Sequence, residues 1–333
     1  MHIFTNPNYN FLRWRWHAVA LSWVVILAGL FFIYTKGLPK GIEFAGGTSV
    51  IMQFDQTPSV EAVRDALNRN YPGGGQDAIV QAYGDPSLRQ VMVRVPQVGA
   101  EQGASLSASA QNVESALRKA NLGNFSTVGT EIVGPSVGEE LTQKGLWAFV
   151  LSLIGILGYI AFRYEFSFAV GAVVATLHDV LVTFAFLAFF RYDLTLNVIA
   201  ALLTVTGYST NDTIVIFDRV RENMRKMRRE SLSEVINISI NQTLGRTVIT
   251  AGTALLSAIA LFLFGGEVLH GFAFTMIVGI ITGTYSSVFV AAAIVTFWRR
   301  TKPSKLSTAT APVAAPVAAS SKKTKAQRKA RAS

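Results

Sequence analysis

Gly207-Tyr-Ser-Thr-Asn-Asp-Thr-Ile-Val-Ile-Phe-Asp-Arg-Val-Arg-Glu-Asn223 begins inside a hydrophobic run. It carries Asn211 and Asp212 among apolar neighbours and leaves the apolar zone at Asp218 and Arg219. A carboxylate at the centre of a bilayer costs about 2.5–3.5 kcal/mol on insertion scales, so Asp212 is expected to face other helices or water. Arg246 opens the next hydrophobic segment 34 residues later, and the intervening polar loop allows the two to return to similar depth. Asp212 lies five residues inside Phe217, about 7–8 Å by helix rise. Its short side chain cannot snorkel over that distance, whereas Arg246 at a helix end also fits a snorkelling topology anchor.

Outward from this stretch the chain reads as a polytopic α-helical membrane protein. Half of its residues are hydrophobic and 15% are charged, and several apolar runs reach the roughly 20 residues that cross a hydrocarbon core. Six transmembrane spans are predicted, at 17–35, 143–162, 167–190, 195–217, 247–264 and 269–297. The first is read as a retained anchor, because it is long for a signal-peptide core and lacks a small-residue cleavage site. There is no cysteine, which excludes disulfides and thiolate metal sites.

Basic residues set the orientation, because short loops rich in Lys and Arg stay in the cytoplasm. Arg13, Arg15, Arg163, the run from Arg219 to Arg229, and Arg299, Arg300 and Lys302 all fall on one side of the predicted spans. Residues 1–16, the basic loop 218–246 and the tail 298–333 are therefore expected in the cytoplasm. Ser231-Leu-Ser-Glu234 has capping-box spacing. After it, Leu232, Val235, Ile236 and Ile240 form an apolar face suited to an amphipathic helix along the membrane surface. The tail from 299 holds ten Lys/Arg and no Asp/Glu. It is expected to be disordered; contact with anionic lipid and nonspecific contact with ribosomal RNA both fit it, as does a solvated tail that reinforces topology, and no specific nucleic-acid recognition is expected.

The insert 36–142 holds eight Lys/Arg against eleven Asp/Glu and is expected on the opposite, exported side. Apolar alternation at Val50-Ile-Met-Gln-Phe54 and Val91-Met-Val-Arg-Val95, with helical spacing at Val113, Leu117 and Ala120, predicts strand-helix-strand-strand-helix-strand. This is an α+β, ferredoxin-like order. No metal cluster, nucleophile triad or phosphate loop accompanies it, so a binding or moving module is expected rather than an enzyme, with no cofactor.

Within the spans, Arg246, Thr250, Thr253 and Ser257 share one helix face, as do Gly271, Thr275, Gly279, Thr282 and Ser286. Both stripes fit a polar path, and both fit close helix packing. His178 and Asp179, midway along the third span, make a second intramembrane polar cluster.

Four motifs together resemble the SecD/SecF family, specifically SecF, an auxiliary subunit of the bacterial Sec translocase. They are Gly41-Ile-Glu-Phe-Ala-Gly-Gly-Thr48, Val133-Gly-Pro-Ser-Val-Gly138, Gly207-Tyr-Ser-Thr-Asn-Asp212 running into Phe217-Asp-Arg-Val-Arg-Glu-Asn223, and Asn241-Gln-Thr-Leu-Gly-Arg-Thr247. Glu43 stands where that family has Asp. The resemblance implies an RND-type half of six spans that partners SecD in the bacterial inner membrane. It implies work with the SecYEG translocon and YajC on exported unfolded polypeptides, driven by the proton-motive force. It further implies that Asp212 and Arg246, with Asn211 and Ser209 beside them, couple to protons. His178, Asp179, Thr250 and Thr253 are secondary candidates. Glu43, Gly46 and Gly47 mark the start of the exported domain, and Asp218, Arg219 and Arg221 the cytoplasmic motif. Two other classes remain open: a small-molecule or lipid exporter half, and a scaffold whose polar residues only glue helices.

Overall fold

The computed structural model describes residues 7–56, 58–72, 75, 78–95, 104–164 and 166–301. The basic tail beyond 301, expected to be disordered, lies outside the described residues.

The insert folds on alternation. Strand β1 (Gly47–Phe54) buries Val50, Met52 and Phe54, and β3 (Gln90–Val95) buries Val91, Val93 and Val95. These side chains meet Val63 and Leu67 of α3 (Val60–Asn70) and Val113 and Leu117 of α4 (Ala104–Lys119) in one core. Helix α3 starts where the Ser59 hydroxyl accepts from the Ala62 N–H, which satisfies one orphan donor of the first turn. With β2 (Ile79–Tyr83) and β4 (Phe125–Val133) the sheet order is β2-β3-β1-β4, antiparallel throughout, with Val50 opposite Val93. Both helices cover one face. The other, carrying Ser49, Ile51, Met92 and Arg94, is turned toward the ends of the membrane helices.

The lead into β1 is a single turn, α2 (Ile42–Ala45), ended by Gly46 at φ 71° and Gly47 at φ 125°. Both backbones sit where a Cβ is disfavoured, so the glycine pair is a conformational requirement of this entry.

The long helices are α1 (Phe11–Lys36), α5 (Pro135–Arg163), α6 (Phe166–Phe189), α7 (Leu196–Lys226), α8 (Leu232–Phe264), α9 (Glu267–Ser286) and, after a π-helical turn at Ser287–Ala291, α10 (Ala292–Thr301). Among the described residues, five helical runs are long and apolar enough to cross a membrane: α1, α5, α6, α8 and the continuous run Val268–Phe297. The expected six are thus five by length and composition. Helix α7 has 31 residues, about 46 Å at the usual rise, but it carries the polar run from Thr204 to Thr213 and a charged end. Burial explains why that polarity is tolerated. Windows of α6 and Val268–Phe297 are 56% and 61% buried, against 6% for α5 and 11% for α8, so α6, α7 and α9 form the centre. Glycines allow the close approach: a Cβ on Gly279 would fall 2.4 Å from a Val205 methyl, and one on Gly283 would fall 2.8 Å from Ser209 Cβ. The α9 stripe therefore serves close packing against α7.

One expectation is corrected. Among the described residues, no separate amphipathic helix stands between α7 and the fifth predicted span. The Ser231–Glu234 capping box forms, but α8 runs unbroken from there through Arg246 to Phe264. The apolar face of its first turns packs inside the protein, where Ile236 and Ile240 join Leu12, Phe217 and Val220. Burial of that face against protein replaces burial in lipid.

Candidate functional site

Two carboxylates are buried in the centre of the helical bundle, and their surroundings differ. Asp179 on α6 is 1% exposed. Its Oδ1 lies 3.0 Å from His178 Nδ1, and its Oδ2 accepts from Ser209 Oγ of α7 at 2.5 Å and from Ser286 Oγ of α9 at 2.8 Å. Three helices thus converge on one carboxylate. The His178 ring stacks on Tyr285 at 6.4 Å between centroids, and the Tyr285 hydroxyl donates to the Ala18 carbonyl of α1 at 2.6 Å. The hub therefore reaches a fourth helix. His178 Nε2 is buried without a hydrogen-bond partner.

Asp212 on α7 is 8% exposed. Its Oδ1 accepts from Thr247 Oγ1 of α8 at 2.6 Å, while its Oδ2 is buried with no hydrogen-bond partner. The hydroxyl next to it, that of Ser287 in the π-helical turn, is engaged with Thr213 at 2.9 Å and with the Gly283 carbonyl at 2.9 Å. An ionised carboxylate offers about four acceptor sites, and here one whole oxygen stays open. Such an atom can take a proton without first losing a partner.

The residues expected to act with Asp212 divide. Arg246 neighbours Thr247 but is exposed and forms no ion pair with Asp212 within 4 Å. Thr247 holds the carboxylate instead. Ser209 belongs to Asp179, not to Asp212, because it lies almost one turn back on the adjoining α7 face. Asn211 is exposed. Thr250 and Thr253 are also exposed, with their hydroxyls bonded to α8 carbonyls one turn back. They are separate from His178 and Asp179. Arg246, Thr250, Thr253 and Ser257 give α8 an exposed polar face, and Asn211 is exposed on α7.

At the charged end of α7 the motif residues bind α8. Arg219 Nε donates to Gln242 Oε1 at 2.6 Å, and Asn223 Nδ2 donates to the same oxygen at 2.8 Å and to Ser239 Oγ at 2.9 Å. Arg221 packs over the Tyr164 ring at 5.8 Å, and Asp218 is exposed. The Lys226 ammonium, with Arg219 beside it, holds the Glu222 carboxyl below the usual range. On the other side of α8, Asn237 and Asn241 grip the chain before α1. Their amide oxygens accept from the Phe11 and Tyr9 N–H groups at 2.9 Å each. Sequence reading passed over Asn237, Ser239 and Gln242 as site residues. Their signal was a run of amides, Asn237, Asn241 and Gln242, inside an otherwise apolar helix.

At the opposite end, Gly41 packs against the α6–α7 connection, with its N–H donating to the Leu194 carbonyl at 2.7 Å. A Cβ on Gly41 would lie 2.3 Å from the Glu43 carboxylate and 2.9 Å from that carbonyl. Glu43 lines a polar cavity of about 190 Å³ between the sheet and the helix ends.

Comparison with known proteins gives the family. The family described as "Protein export membrane protein SecD/SecF, C-terminal" matches residues 112–301, and the "SecD/SecF GG Motif" matches residues 31–58, where Gly46 and Gly47 lie. Proteins named "Protein translocase subunit SecF" are similar over most of the chain. The one from Desulfurispirillum indicum is 42% identical over 87% of this chain and 91% of its own. That from Vibrio alginolyticus is 43% identical over 86% and 88%. In structure, the chain is similar to SecDF, a translocon-associated membrane protein from Thermus thermophilus, with a TM-score of 0.77 at 34% identity. The match covers 89% of this chain but only 39% of that one. By sequence and by structure, the chain belongs to the SecD/SecF family of protein export membrane proteins.

Proposed function

We propose that this chain is the SecF half of a proton-driven export complex. It pairs with a SecD-type half and uses the proton-motive force to promote late steps of polypeptide movement through SecYEG, with YajC as a further subunit. The observation that carries the reading is Asp212: a buried carboxylate with one oxygen held by Thr247 and the other open. Arg246 stands one residue from that Thr247 on the exposed polar face. In this reading α7 is a sixth span, made tolerable by its central position, and both termini are cytoplasmic. The insert is an exported ferredoxin-like domain, supported by its strand order. The exposed polar face of α8, with Asn211 of α7, meets the SecD half, since Asn211 and Arg246 would be costly against lipid.

Proton arrival at Asp212 Oδ2 removes the carboxylate charge, weakens the field felt by Arg246 and changes the α7–α8 contact. One proton crossing the membrane releases about 2.3 kcal/mol per 100 mV, enough to bias a two-state element balanced within a few kcal/mol. The test is export of a secreted precursor in cells whose only copy carries Asp212→Asn, with protein amount and partner recovery measured together. Export is expected to fail while the complex stays intact; normal export would reduce Asp212 to a packing residue.

A further inference from the structure

Residues 190–195 connect α6, which carries Asp179, to α7, which carries Asp212. In this short segment the Arg191 and Asp193 side chains and the Leu194 backbone reach the α/β domain and the chain leading into it. Arg191 Nη1 donates to the Lys36 and Gly37 carbonyls at the end of α1, at 3.2 Å each. The Leu194 N–H donates to the Pro39 carbonyl at 2.8 Å, and its own carbonyl accepts from the Gly41 N–H at 2.7 Å. Lys40 and Leu194 are thereby paired as a parallel β-bridge. Asp193 takes the Arg94 guanidinium at 2.5 Å, with side chains only 17% and 11% exposed. Arg94 lies on β3, an inner strand of the sheet. Arg191 itself sits at φ 58°, a left-handed backbone that a non-glycine residue keeps only where its surroundings hold it.

Beside this contact the sheet and the helix ends are separated by the polar cavity, lined by Ser49 and Glu131 on one side and by Asn197 and His270 on the other. Among the described residues, Arg94–Asp193 is the one ion pair that crosses from the sheet to the bundle. Besides the packing of α2 against the start of α5, which continues from β4, the domain is thus held at the α6–α7 connection by the backbone bridge at Leu194 and the ion pair at Asp193, one residue apart.

We infer that residues 191–195 are the joint that passes a displacement of α6 against α7 into the α/β domain, with Arg191 and Asp193 as its positioning residues. The inference deepens the proposed function and rests on it for the source of the displacement. The backbone bridge alone leaves a pivot, because two parallel hydrogen bonds fix distance better than angle. The ion pair supplies the second point that turns the pivot into a rigid link. Without it, Arg94 keeps a buried charge with no counter-ion beside the polar cavity, and the domain swings about residues 39–41.

The chain has no cysteine, so spin labels go only where cysteines are introduced. Gln111→Cys places one on α4, and Phe264→Cys places the other at the domain end of α8, both at exposed positions. The full chain, co-produced with a SecD-type partner in membrane vesicles, is expected to give a narrow distance distribution. With Asp193→Asn that distribution roughly doubles in width, and export of a secreted precursor falls several-fold at unchanged protein amount. Asp193→Glu, and the exchanged pair Arg94→Asp with Asp193→Arg, restore both readouts in large part. Asp212→Asn keeps the narrow distribution while losing export. An unchanged distribution in Asp193→Asn overturns the joint, as does a broadened one with undiminished export. Normal export in Asp212→Asn is instead a failure of the proton-coupling reading, and the distance measurement still decides whether Asp193 positions the domain.

Discussion

Asp179 and Asp212 are the same residue type at similar burial in neighbouring central helices, yet their hydrogen-bond surroundings differ, and in the proposed reading they serve opposite ends. Asp179 is surrounded by donors from His178, Ser209 and Ser286. Asp212 has Thr247 and an open oxygen. A saturated buried carboxylate organises its neighbours, because removing it orphans every donor aimed at it. A half-satisfied one has acceptor capacity to spare, and that capacity is what a proton needs. Burial alone, which the two share, does not distinguish them; the donor inventory does, and the proposed function rests on that difference.

The comparison breaks most sharply at Asp179→Ala. Loss of the carboxylate leaves a histidine and two serines without their acceptor, and each orphaned group is expected to cost about 1–3 kcal/mol. Folded yield after detergent extraction should drop steeply, whereas Asp212→Ala should leave it near normal. Equal yields would show that the two sites do not differ as their hydrogen bonds imply.

Gly279→Ala comes next. Its new methyl would meet Val205 at 2.4 Å, prising α9 from α7 at a cost of about 1–3 kcal/mol. Because Ser286 is carried by α9, the Asp179 hub should suffer while the Asp212–Thr247 contact between α7 and α8 is spared. A lowered melting temperature with export lost only in proportion to protein amount is the expected pattern.

Thr247→Val keeps the shape but removes the donor to Asp212, worth about 1 kcal/mol. Stability should hardly change, yet under the proposed function the rate of export should fall and its dependence on external pH should shift, since Asp212 loses its hydrogen-bond partner. An unaltered pH profile would separate Thr247 from the proton site.

The smallest effect lies at the charged end. Glu222 has its carboxyl held below the ordinary 4.5 by Lys226 first and Arg219 second. For a lowered acid the stabilisation is present above the unfolded pKa and is lost as pH falls through the folded one. Amide exchange at the end of α7 should therefore stay slow at neutral pH and quicken only below about pH 4.5. Quickening that begins near neutrality would assign this end to another group.

Much of the architecture was legible because it depends on neighbours in the chain. Alternation placed β1 and β3, the Ser231–Glu234 spacing placed the start of α8, and an acid inside an apolar run drew attention to Asp212. What stayed hidden depends on partners far away in sequence. Ser209 reads as a companion of Asp212 by proximity, but it faces Asp179, 30 residues away, and Ser286 comes to the same oxygen from 107 residues away. The α8 start reads as a surface helix because its apolar face has no visible cover, and the cover proves to be Phe217, Val220 and Leu12.

The sequence by itself determined that this chain is a membrane protein with an inserted α/β domain, because apolar length and strand alternation are local properties that chain neighbours settle. It also determined which acids sit in apolar surroundings. Only the tertiary structure decided which of them is satisfied, that Thr247 rather than Arg246 holds Asp212, and that residues 191–195 tie the domain to the bundle. Hydrogen bonds and ion pairs are short-ranged and directional, so they exist only once separate helices have packed to within a few ångströms of one another.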